Sequence, residues 1–376
     1  MSVGVYIHIP FCRTRCHFCA FYLQIYRRDR ALAYLDSLSH EISLHAAQDT
    51  LEGRRPESVY FGGGTPTILP PGELAKVLQL IRKQFNPRDD AEITLEAHPD
   101  TVDEEGLKDL RQAGFNRISF GVQSMDQDEL IRIGRRTVPD RTRAAVSLAR
   151  HAGFENINLD LIYGLPGQSL ESWRSTLRET IALNPSHLSC YALTIEDGTL
   201  LQRERQGDPA ETEQSLQIAM ENLADGELIS VGFHRYEISS FCEPGFACRH
   251  NLLYWTGGDY LGLGPSAQSY LNGVRMGNVE DLKAYRTALK EGRLPLAHTE
   301  RLSSEQRRRE ALVFGLRLTD GIAFAPLGGQ ARHNDTSWND ALERMINDGL
   351  VEAGSGRIRL TEMGRRFADS VAVALL

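Results

Sequence analysis

A chain of 376 residues with 41% hydrophobic and 24% charged residues is long enough to bury a large core in one big domain or two. No apolar run approaches the length of a membrane span, and the N-terminus lacks the basic and apolar regions of a signal peptide, which predicts a cytoplasmic protein with at most peripheral membrane contact. A net charge of -8 argues against a general nucleic-acid binder, and six cysteines in a reducing compartment argue against a disulfide framework.

In chain order, the first predicted strand covers residues 4–9 and runs at once into Cys12, Cys16 and Cys19. C-x3-C-x2-C puts three thiolates in a loop too short for disulfides among all of them and suited to holding a metal from one side. Three soft thiolates favour an iron–sulfur cluster or zinc. Zinc would need a fourth ligand, which His8 or His17 could supply; a cluster of four irons would leave one iron open.

A helical pattern over 30–46, with Leu32, Leu35, Leu38 and Ile42 at helical spacing, leads to a second strand at 58–61 and then Gly62-Gly63-Gly64-Thr65-Pro66. A glycine run after a strand can let backbone approach a ligand closely. Further helical stretches at 72–85, 140–152, 170–183 and 211–227 alternate with strands at 92–95, 117–120, 156–162 and 187–191. Polar residues again fall at strand ends: Glu96 and His98, Gln123 and Ser124, Asp160, and Thr194 to Glu196. Six β/α units predict a parallel sheet, a partial (β/α)6 barrel within residues 1–272, with all these features meeting at the C-terminal mouth.

Residues 232–272 are rich in glycine and aromatics, 273–303 read as a connecting segment, and 304–376 read as helix, helix, short hairpin, helix. The last is a winged-helix-like α+β domain, with Gly354-Ser355-Gly356 at the hairpin turn and Thr361 capping the final helix. Residues 300–376 hold eleven Arg and no Lys against eleven acids, so docking or covering the barrel is favoured over DNA binding.

The cysteine loop together with Tyr6-Ile7-His8-Ile9-Pro10-Phe11-Cys12, Phe61-Gly62-Gly63-Gly64-Thr65-Pro66-Thr67, Phe120-Gly121-Val122-Gln123-Ser124 and Asp160-Leu161-Ile162-Tyr163-Gly164-Leu165-Pro166 resembles the radical S-adenosylmethionine superfamily. Within it the resemblance is to the branch containing oxygen-independent coproporphyrinogen dehydrogenase and the HemW-type haem chaperones, and it covers nearly the whole chain. It implies that Cys12, Cys16 and Cys19 hold a [4Fe-4S] cluster whose open iron takes S-adenosylmethionine. It also implies cofactor contacts from Tyr6, Gly63, Gly64, Thr65, Glu96, Gln123, Arg135 and Asp160.

Phe21 stands where the dehydrogenase has a further cysteine, which favours the chaperone type. Arg249-His250-Asn251-Leu252-Leu253-Tyr254-Trp255 contains H-N-x-x-Y-W and resembles that family's haem-associated motif. The resemblance implies haem held through His250, Asn251, Tyr254 and Trp255, with His250 as axial ligand and two aromatic faces against the porphyrin. The neighbouring Cys242 and Cys248 read as buried thiols. Thr137 and Gln268 stand where the family commonly has histidines, and His98 where it often has Asn.

The expectation is therefore a protein that binds haem, a [4Fe-4S] cluster and S-adenosylmethionine, delivers haem to an acceptor protein and uses an electron donor. The alternative is a radical enzyme, either the coproporphyrinogen dehydrogenase or a related C-methyltransferase.

Overall fold

All six expected strands form: β1 (Val3–Ile9), β2 (Ser58–Gly63), β3 (Glu92–Ala97), β4 (Arg117–Gln123), β5 (Asn156–Tyr163) and β6 (His187–Ala192). Every strand after β1 runs one to three residues beyond its expected C-terminal end, so Gly63, Ala97 and Gln123 are the last ladder residues rather than loop. The computed structural model describes residues 2–204, 211–323 and 336–376.

The six strands pair in parallel and in chain order. Side chains alternate across them. Val5, Ile7 and Ile9, Val59 and Phe61, Ile93 and Leu95, and Ile118 and Phe120 are buried with the helices. The opposite face is polar: Tyr6 and His8, Ser58 and Tyr60, Glu92 and Glu96, Arg117 and Ser119, Asn158 and Asp160, His187 and Ser189.

The covering helices are α1 (Arg28–Ala47), α2 (Pro71–Phe85), α3 (Glu104–Ala113), α4 (Pro139–His151), α5 (Leu170–Ala182) and α6 (Glu211–Ser230). Of these α3 was not among the expected stretches. It buries only Leu107 and Leu110, starts where the Asp103 side chain accepts from the Gly106 N–H, and ends on Gly114 at φ 104°.

The sheet is wider than six units and does not close. After α7 (Arg249–Trp255), strand β7 (Asp259–Leu263) pairs in parallel on the free side of β1. Beyond it lie antiparallel β8 (Gln268–Leu271), β9 (Val274–Asn278) and β10 (Leu296–Arg301). Two short strands, Ser240–Cys242 and His234–Arg235, extend the β6 edge.

Residues 273–303, expected to connect, thus carry β9, α8 (Leu282–Lys290) and β10 within the same sheet. Their anchor is Glu41 on α1, fully buried, which accepts from Gly264 N–H (2.8 Å), Asn278 Nδ2 (2.6 Å) and Tyr285 OH (2.6 Å). Burial pushes its carboxyl up to about 7 against these three donors.

The C-terminal part contains α9 (Ser304–Gly315), β11 (Ile322–Ala323), α10 (Thr336–Asn347), the hairpin β12 (Val351–Gly354) and β13 (Arg357–Leu360), and α11 (Ala368–Leu375). Gly354 faces Arg357, leaving a two-residue turn in which Ser355 (φ 52°) and Gly356 (φ 73°) are both left-handed, the type I′ geometry that matches strand twist. Thr361 caps the short helix Glu362–Arg366, accepting from Gly364 N–H at 2.9 Å, rather than the final helix α11, whose N-cap is Phe367. Leu312, Trp338, Val351, Ile358 and Val371 give this part its own core. It meets the barrel through ion pairs of Arg365 with Asp225 and Arg366 with Glu221 on α6. Among the described residues no helix is long and apolar enough to cross a membrane.

Candidate cluster and cofactor site

The loop after β1 is stitched to the end of β2 by backbone. Gly64 N–H donates to Ile9 O (2.9 Å) and Thr65 N–H to Phe11 O (2.7 Å). A Cβ on Gly64 would lie 2.6 Å from Phe11 O, and one on Gly63 (φ 107°) 2.6 Å from the His8 ring. These glycines are therefore required by the close approach of the protein's own loop.

The stitching puts Cys12 Sγ 3.4 Å from Thr65 Oγ1. Cys12, Cys16 and Cys19 are free and partly exposed. Burial pushes the Cys12 thiol up to about 11 and raises Cys19 as well, so a bound metal would have to draw out the thiolates. Among the described residues no three His, Cys, Asp or Glu side chains are gathered to hold a single metal ion.

His8, with both ring nitrogens engaged, is not presented as a fourth ligand beside the cysteines, whereas His17 is engaged through one nitrogen. His8 Nε2–H donates to Tyr22 O (3.2 Å) while Nδ1 accepts from Tyr6 OH (3.2 Å), and His17 Nδ1–H donates to Arg132 O (3.2 Å).

Glu96 and Asp160 lie at the same mouth. Glu96 accepts from Tyr60 OH (2.8 Å) and Gly63 N–H (3.1 Å); burial, then the nearby Asp160 charge, pushes its carboxyl up to about 7. Asp160 accepts from Ser119 OH and Asn158 Nδ2, both at 2.8 Å. Gln123 has φ 72° at the point where the β4–β5 register shifts, a strained bulge. Arg135 is buried, donates to the bulge carbonyls of Gly121 and Val122, and leaves its Nε without a partner. Tyr6, Glu96 and Asp160 thus lie on the inward face of the sheet, Gly63, Gly64, Thr65 and Gln123 at strand ends, and Arg135 in the loop before α4.

Two of the family departures meet. His98 Nδ1 accepts from Asp100 N–H (3.2 Å), so its Nε2–H faces Thr137 Oγ1 (3.3 Å), and the Thr137 hydroxyl donates to Asp100 (2.7 Å). His98 thus places an imidazole beside Thr137. Gln268 is exposed and bonds Ser266 O at 3.2 Å.

The H-N-x-x-Y-W residues stand apart from this mouth, which the sequence reading did not anticipate. α7 packs at the opposite, N-terminal end of the strands, where Glu92, the first residue of β3, accepts from Arg249 N–H, His250 N–H and Cys248 Sγ–H. His250 is 1% exposed. Its Nδ1 bonds Ser58 Oγ (2.8 Å), its Nε2 bonds Tyr254 OH (2.9 Å), and its ring stacks on Tyr60 and Tyr6.

Burial, and then the Arg117 charge, pushes His250 down to about 3. Both ring nitrogens are taken, so in this conformation His250 is not presented as an axial ligand. Trp255 lies under the Arg317 guanidinium (4.4 Å to the ring centre), the Asn251 backbone bonds the Cys248 thiol at the start of the helix, and Cys242 and Cys248 are buried, as expected of packed thiols. The floor residues Ser58, Tyr60, Glu92 and Arg117 went unnoticed in the sequence, although polar residues at every second strand position were a usable signal.

A model of the radical SAM superfamily matches residues 6–180, and one of the HemN C-terminal domain matches 302–367. "Heme chaperone HemW" of Mycobacterium tuberculosis is 36% identical over 377 residues, covering 99% of this chain and 94% of that protein; that of Bacillus subtilis is 34% identical, covering 99% of each. The chain belongs to the HemW family of radical SAM proteins. The solved structure of coproporphyrinogen III oxidase (HemN) of Escherichia coli is similar over 100% of this HemW-family chain and 90% of its own, at 27% identity and a TM-score of 0.86. The oxygen-independent coproporphyrinogen III oxidase of Pseudomonas aeruginosa is 33% identical over 391 residues.

Proposed function

We propose that this chain is a haem chaperone: it binds haem, carries a [4Fe-4S] cluster on Cys12, Cys16 and Cys19 with S-adenosylmethionine on the open iron, and passes haem to an acceptor protein. The observation that carries this is the end-to-end similarity to HemW chaperones, with Phe21, 66% exposed, at the place of the dehydrogenase's further cysteine.

When bound, the cluster supplies an iron with an open position for the amino and carboxylate groups of the cofactor. Arg135 is suited to the carboxylate, Asp160 and Glu96 to ribose hydroxyls, and Gln123, whose amide has no hydrogen-bond partner among the described residues, to a bridging bond. Haem delivery needs an acceptor, and any reductive use of the cluster needs an electron donor.

The test is anaerobic cluster reconstitution, haem titration, and transfer to an apo-haem protein, with product analysis on coproporphyrinogen III alongside. Stoichiometric haem binding and transfer support the proposal. Decarboxylation of the porphyrinogen without haem binding would establish the dehydrogenase reading in its place. A Cys12, Cys16, Cys19 triple Ala variant that kept full iron loading would refute the cluster site.

A further inference from the structure

We propose that a cleft beside α7, at the N-terminal ends of β2 and β3, receives the propionate carboxylates of haem, an inference that rests on the haem-binding reading above. The cleft has a volume of about 480 Å³ and is lined by Arg54, Arg55, Arg88, Asp89 and Asp90. Three guanidiniums against two carboxylates leave it cationic, and arginine is the side chain whose planar fork matches a carboxylate. So polar a lining suits the charged edge of a ligand and not an apolar ring.

Arg54 carries the argument furthest. Its side chain is 17% exposed and is fixed by bonds from Nε to Leu51 O (3.0 Å) and from Nη1 to Asp259. Nη2 is buried and has no partner among the described residues. A buried N–H without an acceptor is costly, and a carboxylate in the cleft would supply one. The other cations are only loosely committed. Asp89 pairs with Arg55 at 2.7 Å, but its side chain is 96% exposed, and Arg88 meets Glu57 at 3.3 Å. Surface pairs of this kind contribute little, so an entering carboxylate can take over Arg55 and Arg88 while Asp89 turns to water.

Position ties the cleft to the haem-associated helix. Arg249, the first residue of α7, donates from Nη1 to the Asp90 carbonyl (2.9 Å) and carboxylate (3.1 Å), so the second acid of the lining is already engaged. The two segments that line the cleft, 54–55 and 88–90, lead within a few residues to Ser58 and Glu92, which hold the His250 ring and its backbone N–H. A carboxylate bound there is therefore anchored beside the helix that carries the H-N-x-x-Y-W motif.

The experiment titrates haem and haem dimethyl ester, whose propionates are esterified, into the reconstituted full chain and into Arg54→Lys, Arg88→Gln and the double variant, with inorganic phosphate titrated in parallel. Arg54→Lys keeps a cation for Asp259 and removes the free nitrogen. The expected result is haem bound about tenfold more tightly than its ester by the wild-type chain, the scale of one charged hydrogen bond, and loss of that preference in the double variant at unchanged ester affinity. The unchanged ester affinity also shows that the variant has folded. Equal affinity of the wild-type chain for haem and ester, or a preference untouched by the substitutions, would overturn the inference while leaving the chaperone reading intact. So would phosphate binding that the variants lose without any change in haem preference, which would make the cleft a phosphate site. Failure of the wild-type chain to bind either form of haem would instead overturn the chaperone reading itself.

Discussion

Replacing His250 by Ala tests whether the H-N-x-x-Y-W histidine is part of the barrel floor or a free ligand. The substitution leaves Ser58 Oγ and Tyr254 OH without their imidazole partner and empties the space against which Tyr6 and Tyr60 stack. Two unpaired polar groups at about 1–2 kcal/mol each, with a partly collapsed cavity, amount to about 3–5 kcal/mol. At about 2.1 cal/mol/K of unfolding entropy per residue, a chain of 376 residues would lose about 4–6 °C in Tm. Tyr254→Phe, which leaves Nε2 unpaired but keeps the packing, should cost about 1 kcal/mol. Scanning calorimetry of the metal-free protein measures both, and haem titration runs in parallel. An unchanged Tm in His250→Ala together with abolished haem binding would refute the reasoning, because the ring would then be free to leave the floor and bind iron.

Gly64→Ala places a Cβ 2.6 Å from Phe11 O, against backbone that cannot give way cheaply, so iron incorporation on anaerobic reconstitution should fall well below wild type. Thr65→Val removes the hydroxyl beside Cys12 Sγ; since hydrogen bonds to cluster sulfur help set reduction potential, the midpoint should move to a more negative value in a redox titration. For Glu41, whose folded value of about 7 lies above its ordinary 4.5, the native state binds the extra proton, so wild-type stability falls as pH rises from about 4.5 through 7 and is flat above. Glu41→Gln should lose this dependence, so its stability relative to wild type improves by about 3 kcal/mol between pH 4.5 and 8 in denaturant titrations. His98→Asn breaks the imidazole–Thr137–Asp100 chain and should weaken S-adenosylmethionine binding by calorimetric titration while cluster iron stays constant.

The positions of β1 to β6, though not their C-terminal ends, were legible because alternation along a strand is a local signal. The cysteine loop and the strand-end polar residues were equally legible, because parallel β/α order by itself sends every C-terminal strand end to one side. What eluded the sequence was non-local. Residues 273–303 carry no strong pattern, and they join the sheet because Glu41, over two hundred residues earlier, needs Asn278 and Tyr285 as donors.

His250 shows the same limit: its motif is plain in the sequence, but whether an imidazole faces a ligand or a serine depends on what lies opposite, and Ser58 is 192 residues away. His98 and Thr137, read singly as departures, prove to be hydrogen-bonded neighbours at 3.3 Å.

The sequence by itself determined the architecture of the mouth, three thiols and a set of strand-end polar groups on one face, because periodicity and chain order are short-range properties of a polypeptide. Tertiary structure alone decided which of those groups are free to act. A histidine's availability is the difference between its hydrogen bonds in the fold and those it could make to a ligand, and packing leaves His250 with both nitrogens taken and His17, among the described residues, with only Nδ1 engaged.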